Sequence, residues 1–529
     1  MTQPTPTVKV NINGEDFAVP QGARLIDAAR DVAGVDIPHF CYHPHLSVAG
    51  NCRMCAVEIE GQRGLPISCN TTCDKDGMKV LTESDRVKAA RKSVMEFLLV
   101  NHPIDCPICD QAGECKLQIY YMDHDLQPSR LEVDKVHYGK RIEIGPRVVL
   151  DQERCVECTR CIRFCDEVTH TSELRMVNRG DHNIISTFPG TSLDNDYSVN
   201  TADICPVGAL TSADFRFQAR AWFLKPNATV CPGCSKGCNV NVDYYDHMIV
   251  TDHNGKAYRL KPRVNEAVNK AWMCDAGRDE YKPINDDRVL AATVNGTERP
   301  ADDAAIAARA ALTKAGSAAL IVTSLDATVE EMEALRRLGL DVFGAVRTVA
   351  VAVRPDGKAD ALLMRADKHP NRKGAEWVGV ATDRKELAAL LRGKQAVLVH
   401  RADLSTLDAD GSVMAAFAAV PTRVVIAANT SPMTEKATHL LPAASFIERE
   451  GHWVNEDGRV QRVKRAYRAR KGTREDLAFI AVLGGGRIPA EARTVFADLA
   501  TVNPHFAGLT WESVGALGAL PGVAEGVAV

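Results

Sequence analysis

The chain has 529 residues, of which 45% are hydrophobic and 25% are charged, and its formal net charge is −4. This length predicts several globular domains, and the composition is sufficient for ordinary cores. The weak negative charge gives no indication of a nucleic-acid partner. No apolar run is long enough for a transmembrane helix, and MTQPTPTVKV lacks the layout of a signal peptide, so we expect neither.

Seventeen cysteines are the most informative part of the composition. Their number is odd, most of them form tight CxxC groups, and none follows residue 274. Disulfide frameworks are typical of short secreted chains, whereas this pattern in a long chain without a secretion signal predicts metal sites.

Residues 1–80 are predicted to form a small α+β domain. Apolar residues alternate from Val8 to Ile12 and again from Phe17 to Val19, and Asn13-Gly14 between them is typical of a hairpin turn. Helical spacing predicts a helix over 22–33. The first cysteine group follows and consists of Cys41, Cys52, Cys55 and Cys69. This setting favours a ferredoxin-like [2Fe–2S] cluster over the alternative, a structural zinc ion. Cys73 is surplus and is interpreted as an ordinary thiol.

Residues 81–139 are predicted to form the second domain. A helix is predicted over 82–100, with Val87, Val94, Phe97 and Leu98 on one face. The second metal group consists of His102, Cys106, Cys109 and Cys115. Three cysteines leave a [4Fe–4S] cluster one ligand short, and the imidazole of His102 is the nearest candidate. The alternative is that His102 only hydrogen-bonds the loop.

Residues 140–223 carry a pattern typical of ferredoxin-like [4Fe–4S] domains. Cys155, Cys158, Cys161 and Cys165 follow one another closely, and a Cys-Pro pair occurs later, at Cys205. Four cysteines on one short loop would have to wrap every corner of a cubane. We therefore expect a [4Fe–4S] cluster on the following set, with Cys165 left over: Cys155, Cys158, Cys161 and Cys205.

Residues 224–290 carry the fourth group, which consists of Cys231, Cys234, Cys238 and Cys274. Gly233 and Gly237 allow the backbone to approach a metal closely. Four thiolates suit a third [4Fe–4S] cluster, with zinc as the alternative. Several clusters on one chain indicate electron transfer in short steps.

Residues 291–529 lack cysteine and have a different pattern. Short apolar runs at 319–322, 396–399 and 424–427 alternate with helical stretches such as 328–338 and 384–391, which predicts βαβ units and a mostly parallel sheet. The segment 291–305 is a candidate boundary. Gly484–Gly486 is interpreted as a turn, and the basic run Arg459–Arg470 as a solvated face, or else a surface for a partner or an anionic lipid. Neither a dinucleotide nor a flavin fingerprint is found.

Three segments resemble the large iron–sulfur subunit of respiratory complex I: FLLVNHPIDCPICDQAGECKLQ, CVECTRCIRFCDE and DICPVGALT. The resemblance covers 1–280. It implies a [2Fe–2S] cluster on the first group and [4Fe–4S] clusters on the second and third. The fourth group is similar to an additional cluster that only some bacterial members keep, although the gap before Cys274 is longer than in the family.

The segment 437–461, ATHLLPAASFIEREGHWVNEDGRVQ, is similar to molybdopterin oxidoreductases. No cysteine follows Cys274 to bind molybdenum, so a degenerate domain without molybdopterin is expected, with a serine-ligated metal as the alternative. The expected fold class is thus multidomain α+β and α/β. It combines a [2Fe–2S] ferredoxin-like β-grasp domain, cubane-binding modules and a C-terminal degenerate molybdopterin-oxidoreductase-like α/β domain.

The resemblance implies a subunit of a proton-pumping NADH:quinone oxidoreductase with no catalytic site of its own for an organic substrate. Electrons would arrive singly from an FMN-bearing, NADH-oxidising partner subunit and leave through downstream iron–sulfur subunits toward quinone. We expect a peripheral position on the cytoplasmic face of a bacterial inner membrane, reached only through the complex. The alternatives are a chain of a formate dehydrogenase, a chain of an NAD-linked hydrogenase, and a zinc scaffold without redox activity.

Overall fold

The computed structural model describes residues 6–180, 182–245, 255–407 and 410–522. The chain divides into two compact units between Phe223 and Leu224. Within the described ranges, no helix is both long enough and apolar enough to cross a lipid bilayer.

The first unit begins with a four-stranded sheet in the order β2-β1-β4-β3. Its elements are β1 (Thr7–Ile12), β2 (Glu15–Pro20), α1 (Leu25–Asp31), β3 (Glu58–Ile59) and β4 (Met78–Leu81). The predicted hairpin is confirmed, since β1 and β2 pair antiparallel on either side of Asn13-Gly14. The helix begins later than predicted because Arg24 forms a β-bridge with Thr72.

The cysteine-rich remainder of the first unit contains short elements. They are α2 (Asp85–Leu99), α3 (Lys116–His124), β5 (Ile142–Glu143), β6 (Val148–Leu150), α4 (Arg160–Glu167), β7 (Arg175–Val177), β8 (Ile184–Ser186), α5 (Asn200–Asp203) and β9 (Leu210–Ser212). Strands β5, β6 and β9 form one small sheet, and β7 and β8 form another. Long irregular loops between these elements carry most of the cysteines.

Helix α2 confirms the predicted helix but corrects its inner face. Val87, Arg91 and Met95 are buried at a spacing of four residues, whereas Phe97 is 79% exposed. The prediction was wrong at Phe97, and the buried stripe contains a charged residue that hydrophobic spacing does not reveal. Arg91 is held there by an ion pair with Glu83.

The second unit opens with a three-stranded antiparallel sheet that carries the fourth cysteine group. Its elements are β10 (Leu224–Val230), β11 (Asn239–Tyr245), β12 (Ala257–Pro262), α6 (Asp275–Arg278) and α7 (Lys282–Asn285). Cys231, Cys234 and Cys238 lie on the connection between β10 and β11, and Cys274 directly precedes α6.

A seven-stranded sheet forms the centre of the second unit, in the order β14-β13-β19-β18-β17-β15-β16. Its strands are β13 (Ala292–Val294), β14 (Thr297–Arg299), β15 (Ala319–Ser324), β16 (Thr348–Val351), β17 (Ala396–His400), β18 (Thr422–Ala427) and β19 (His439–Pro442). β15 to β19 run parallel, which confirms the prediction from the apolar runs. Such strands are buried on both faces, so their sequences are continuously apolar.

Helices cover the sheet, and a hairpin follows it. The helices are α8 (Ala301–Ala315), α9 (Val329–Arg337), α10 (Arg372–Val378), α11 (Leu387–Leu391), α12 (Ser412–Ala419), α13 (Pro432–Glu435), α14 (Asp476–Leu483) and α15 (Ala492–Val502). The hairpin strands are β20 (Gly451–Val454) and β21 (Val460–Val463). The segment 291–305 is occupied by β13, β14 and the start of α8. The predicted turn at Gly484–Gly486 is confirmed, since Gly485 and Gly486 have φ of 62° and 80°.

Candidate metal centres

The first group brings four thiols into contact inside the first domain. The thiol of Cys41 interacts with those of Cys52 and Cys69, and Cys69 interacts with Cys55. The backbone N–H of Cys41 also donates to Cys52 Sγ at 3.5 Å. The contacts with Cys52 and Cys69 hold the pKa of Cys41 below its ordinary value. The predicted set therefore converges, and it can offer thiolate ligands.

Cys73 lies apart from these contacts. It is fully buried in the core of the first domain, where burial raises the pKa of its thiol to about 11. Its carbonyl oxygen accepts a hydrogen bond from Gly22 N at 2.9 Å. These features agree with the interpretation of Cys73 as a core thiol.

The second group borders a large apolar cavity. His102, Cys106 and Cys115 line this cavity, which has a volume of about 800 Å³. Burial lowers the pKa of His102 to about 4, so its imidazole is neutral near pH 7, the form that binds a metal. Its Nδ1 is buried and has no hydrogen-bond partner in the described structure. An orphaned imidazole nitrogen fits a missing ligand bond.

Cys109, the fourth candidate of this group, is not among the residues that line the cavity and lies in a tightly packed position. A Cβ atom added at Gly208 would lie 2.3 Å from Cys109 Sγ, so no larger residue fits there. Gly208 belongs to the loop after Cys205. Because this is a contact between distant parts of the chain, the cysteine spacing gave no signal for it.

The third group is assembled as predicted around one small cavity. Cys155, Cys158, Cys161 and Cys205 line it together with apolar side chains such as Val207. Burial raises the pKa of Cys158 to about 11. Thiols in such a setting stay protonated unless a metal compensates the thiolate charge.

Cys165 lies outside that lining. It is fully buried on α4, where burial raises the pKa of its thiol to about 12. Its carbonyl oxygen accepts from Thr171 N at 2.9 Å and from Ser172 N at 3.1 Å. The structure therefore separates Cys165 from the four residues that converge.

One guanidinium connects the first and third groups. Arg163 Nη2 donates to the carbonyl oxygen of Cys41 at 2.6 Å and to that of Cys158 at 3.1 Å. Arg163 also donates to the carbonyl oxygen of Ser47, in the first cysteine loop. A candidate ligand residue of each group is thus held by the same nitrogen atom.

The second and third groups are also joined directly. Lys116 N, next to Cys115, donates to Pro206 O, next to Cys205, at 2.9 Å. Arg154, next to Cys155, forms an ion pair with Asp105, next to Cys106, at 2.6 Å. The third group therefore has direct polar links to both of the others, although it comes last of the three in the sequence.

The fourth group lines a cavity of about 320 Å³ in the second unit. All four predicted cysteines contribute to its wall. A Cβ atom at Gly277 would lie 3.1 Å from Cys231 Sγ and 3.4 Å from Cys274 Sγ, so this glycine leaves room where the two sulfurs meet. Gly277 N donates to Cys274 Sγ at 3.3 Å and Gly233 N to Cys231 Sγ at 3.4 Å. The donors and the space fit a thiolate-bound cluster.

The C-terminal sheet has a switch point between β15 and β17, where open α/β sheets usually bind a ligand. Here, buried charges meet one another. The carboxylate of Asp476 accepts hydrogen bonds from His400 Nε2 at 2.8 Å and from Arg401 Nη2 at 2.6 Å. Glu331 forms an ion pair with Arg449. Glu331, His400 and Asp476 are close enough for a cation, but the two arginines already neutralise the carboxylates.

Comparison with known families gives a consistent assignment along the chain. Residues 5–85 match the 2Fe-2S iron-sulfur cluster binding domain, and residues 91–130 match the NADH-ubiquinone oxidoreductase-G iron-sulfur binding region. Residues 145–211 match the ferredoxin-like domain of NADH-quinone oxidoreductase subunit 3. Residues 311–485 match the molybdopterin oxidoreductase family. The predicted fold class is confirmed.

A solved structure of an NAD+-reducing NiFe-hydrogenase covers 40% of this chain at 27% identity, with a TM-score of 0.36. Similarity at that level carries no argument about function.

Curated relatives share sequence with about half of the chain. The G subunit of NADH-quinone oxidoreductase from Streptomyces coelicolor is 42% identical over 281 residues, 53% of this chain and 32% of the relative. The corresponding protein of Rickettsia felis is 39% identical over 282 residues, 53% of this chain and 40% of the relative. The NADH-ubiquinone oxidoreductase 75 kDa subunit of Reclinomonas americana is 40% identical over 285 residues, 53% of this chain and 39% of the relative. The chain thus spans less than half the length of these relatives, and its matched half is similar to the G subunits of NADH-quinone oxidoreductases.

Proposed function

We propose that the chain is the iron–sulfur electron-transfer subunit of an NADH:quinone oxidoreductase. The observation that carries this proposal is that the predicted ligands gather in four separate places. All four residues of the first, third and fourth sets, and three of the second, border a shared contact or cavity. The clusters supply one-electron redox chemistry when bound. The residues of this chain hold them, exclude water and adjust their potentials through hydrogen bonds and charge.

The ligand sets proposed are those expected from the sequence. The first binds a [2Fe–2S] cluster through Cys41, Cys52, Cys55 and Cys69. Three [4Fe–4S] clusters are bound by the other sets: His102, Cys106, Cys109 and Cys115; Cys155, Cys158, Cys161 and Cys205; Cys231, Cys234, Cys238 and Cys274. The orphaned His102 Nδ1 supports the histidine ligand.

The electron route that we propose uses the polar links between groups. Electrons pass between the first and second groups by way of the third, because the third group shares Arg163 with the first and the Asp105–Arg154 ion pair with the second. Short steps favour transfer between adjacent carriers. The flavin-bearing partner delivers electrons at one end of this route, and downstream iron–sulfur subunits accept them at the other.

A zinc scaffold is the main competing function. A zinc ion holds sulfur at about 2.3 Å and draws four thiolates closely around a single atom. The cavity of about 320 Å³ that the fourth set lines has room for a group larger than a single ion.

The proposed location of the chain is the cytoplasmic face of a bacterial inner membrane, which it reaches through the other subunits.

Iron and acid-labile sulfide counts on the purified full chain, with EPR of the reduced protein, test the proposal. About fourteen irons per chain support one binuclear and three cubane clusters, and about ten irons remove one cubane. Zinc in place of iron, with a colourless protein, overturns the redox function.

The histidine ligand has a separate test. His102→Cys replaces a neutral ligand by a thiolate, so we expect the midpoint potential of one [4Fe–4S] cluster to fall while the others keep theirs. Redox-titrated EPR measures this shift. An unchanged set of potentials, with all the iron retained, contradicts ligation by His102.

A further inference from the structure

Two arginines on successive turns of α4 are buried among neutral acceptors. Arg160 is 6% exposed and Arg163 is 9% exposed. Arg160 donates to the carbonyl oxygen of Ile204 at 3.0 Å and to that of Tyr42. Besides its bonds to Cys41, Ser47 and Cys158, Arg163 contacts the hydroxyl of Thr159 at 3.3 Å. Among the described residues, no carboxylate pairs with either guanidinium.

The other buried arginines in the described part of the chain behave differently. Each of them lies within ion-pair distance of a carboxylate: Arg91 with Glu83, Arg154 with Asp105, Arg278 with Asp275, and Arg449 with Glu331. A buried cation without a counter-charge is strongly unfavourable, which is why buried charges are paired or bound to metal centres. Arg160 and Arg163 therefore lack a counter-charge that the rest of the fold supplies elsewhere.

The surroundings indicate where that counter-charge resides. The ionisable groups near Arg160 include the thiols of Cys158, Cys205 and Cys41 as well as the cation Arg163. Lys116 and His43 also lie near it. These three thiols belong to the first and third ligand sets. Clusters bound by four thiolates are anionic, and they gain further negative charge on reduction.

We propose that Arg160 and Arg163 are the shared counter-charge of the first and third clusters and raise the midpoint potentials of both. They are positioning residues, since they ligate no iron. A cation in a buried, weakly screened site stabilises the more negative, reduced form of each neighbouring cluster. Arg163 holds a ligand residue of each group, so a single side chain adjusts two carriers together. This inference rests on the proposed function only in requiring that both clusters bind.

Redox-titrated EPR of the full chain tests the inference with three variants and one control. Arg163→Gln removes the charge, and we expect both potentials to fall. Arg163→Lys keeps the charge and should leave both potentials closer to those of the unaltered chain. Arg160→Gln should lower the midpoint potential of the third cluster more than that of the first, since two of the three neighbouring thiols belong to the third set. Arg175→Gln is the control, because Arg175 is half exposed and pairs with Asp166.

The results of these redox titrations either support the inference about the two arginines or overturn it. Unchanged potentials in Arg163→Gln and Arg160→Gln, with both clusters present, overturn the inference and leave the electron-transfer function intact. Equal shifts in Arg163→Gln and Arg163→Lys also overturn it, because geometry rather than charge then sets the potentials. If Arg163→Gln loses its clusters, retention by Arg163→Lys supports the counter-charge and loss from both overturns it. Absence of iron from the unaltered chain removes the proposed function and the inference together.

Discussion

Asp476→Asn should strongly destabilise the second unit. The carboxylate of Asp476 is fully buried at the start of α14, where His400 and Arg401 donate to it at 2.8 Å and 2.6 Å. Burial opposes its ionisation, but Arg401 and the hydrogen bond from His400 outweigh burial and hold the pKa of Asp476 well below its usual range. Asparagine keeps the shape and one acceptor but removes the charge.

The magnitude follows from what the substitution leaves behind. Arg401 has its guanidinium largely buried, so it loses its counter-charge without gaining water. Removing one partner of a buried ion pair costs about 3–5 kcal/mol. That is a large share of the ~5–15 kcal/mol by which a domain is stable. We therefore expect the free energy of unfolding to fall by about 3–5 kcal/mol.

Urea unfolding followed by tryptophan fluorescence measures the effect, since Trp453 is buried in the second unit. Lys282→Gln is the matched control, because Lys282 and Asp279 are also 2.8 Å apart but partly exposed. Such surface pairs contribute about 0–1 kcal/mol. A loss in Asp476→Asn no greater than the loss in the control refutes the reasoning that these charges hold the switch point together.

Three further predictions concern the ligands of the third site, the room around the fourth site and the pH dependence of stability. Cys205→Ser should lower the iron content by about four atoms per chain, whereas Cys165→Ser should keep the full content; equal losses contradict the separation of Cys165 from the cavity. Gly277→Ala should reduce the occupancy of the fourth site by crowding two sulfurs, measured as iron per chain, while Gly64→Ala, with nothing within 4 Å of the added atom, should not. Burial opposes the ionisation of Asp367, but hydrogen bonds from its histidine and arginine neighbours outweigh burial and hold its pKa well below the usual range. The contribution of Asp367 to stability is therefore complete above about pH 4 and is lost as the pH falls further. Between about pH 4 and pH 2, the urea midpoint of Asp367→Asn should thus fall less steeply than that of the unaltered chain. Equal slopes of the two proteins contradict this.

Local sequence was sufficient to predict the main elements and to propose the ligand sets. The CxxC spacings identify short metal-binding loops, because neighbouring thiolates on one loop can grip one cluster. The continuous apolar runs of β15, β17 and β18 indicate strands buried on both faces of a parallel sheet. Both signals depend on residues a few positions apart, which is the range over which a pattern can be read.

Tertiary structure decided what depends on distant contacts. Phe97 is exposed, and Arg91 takes a place in the buried stripe of α2 through its ion pair with Glu83; hydrophobic spacing reveals neither fact. The sequence already favoured Cys205 over Cys165, but only the fold shows the contact that brings Cys205 to the third cavity, where the loop before β9 packs on α4. The links of the third group to the first and second depend on Arg163 and the Asp105–Arg154 pair, which join loops far apart in the chain. Spacing thus specified which residues can bind clusters, while the folded loops decided which cluster sites are neighbours.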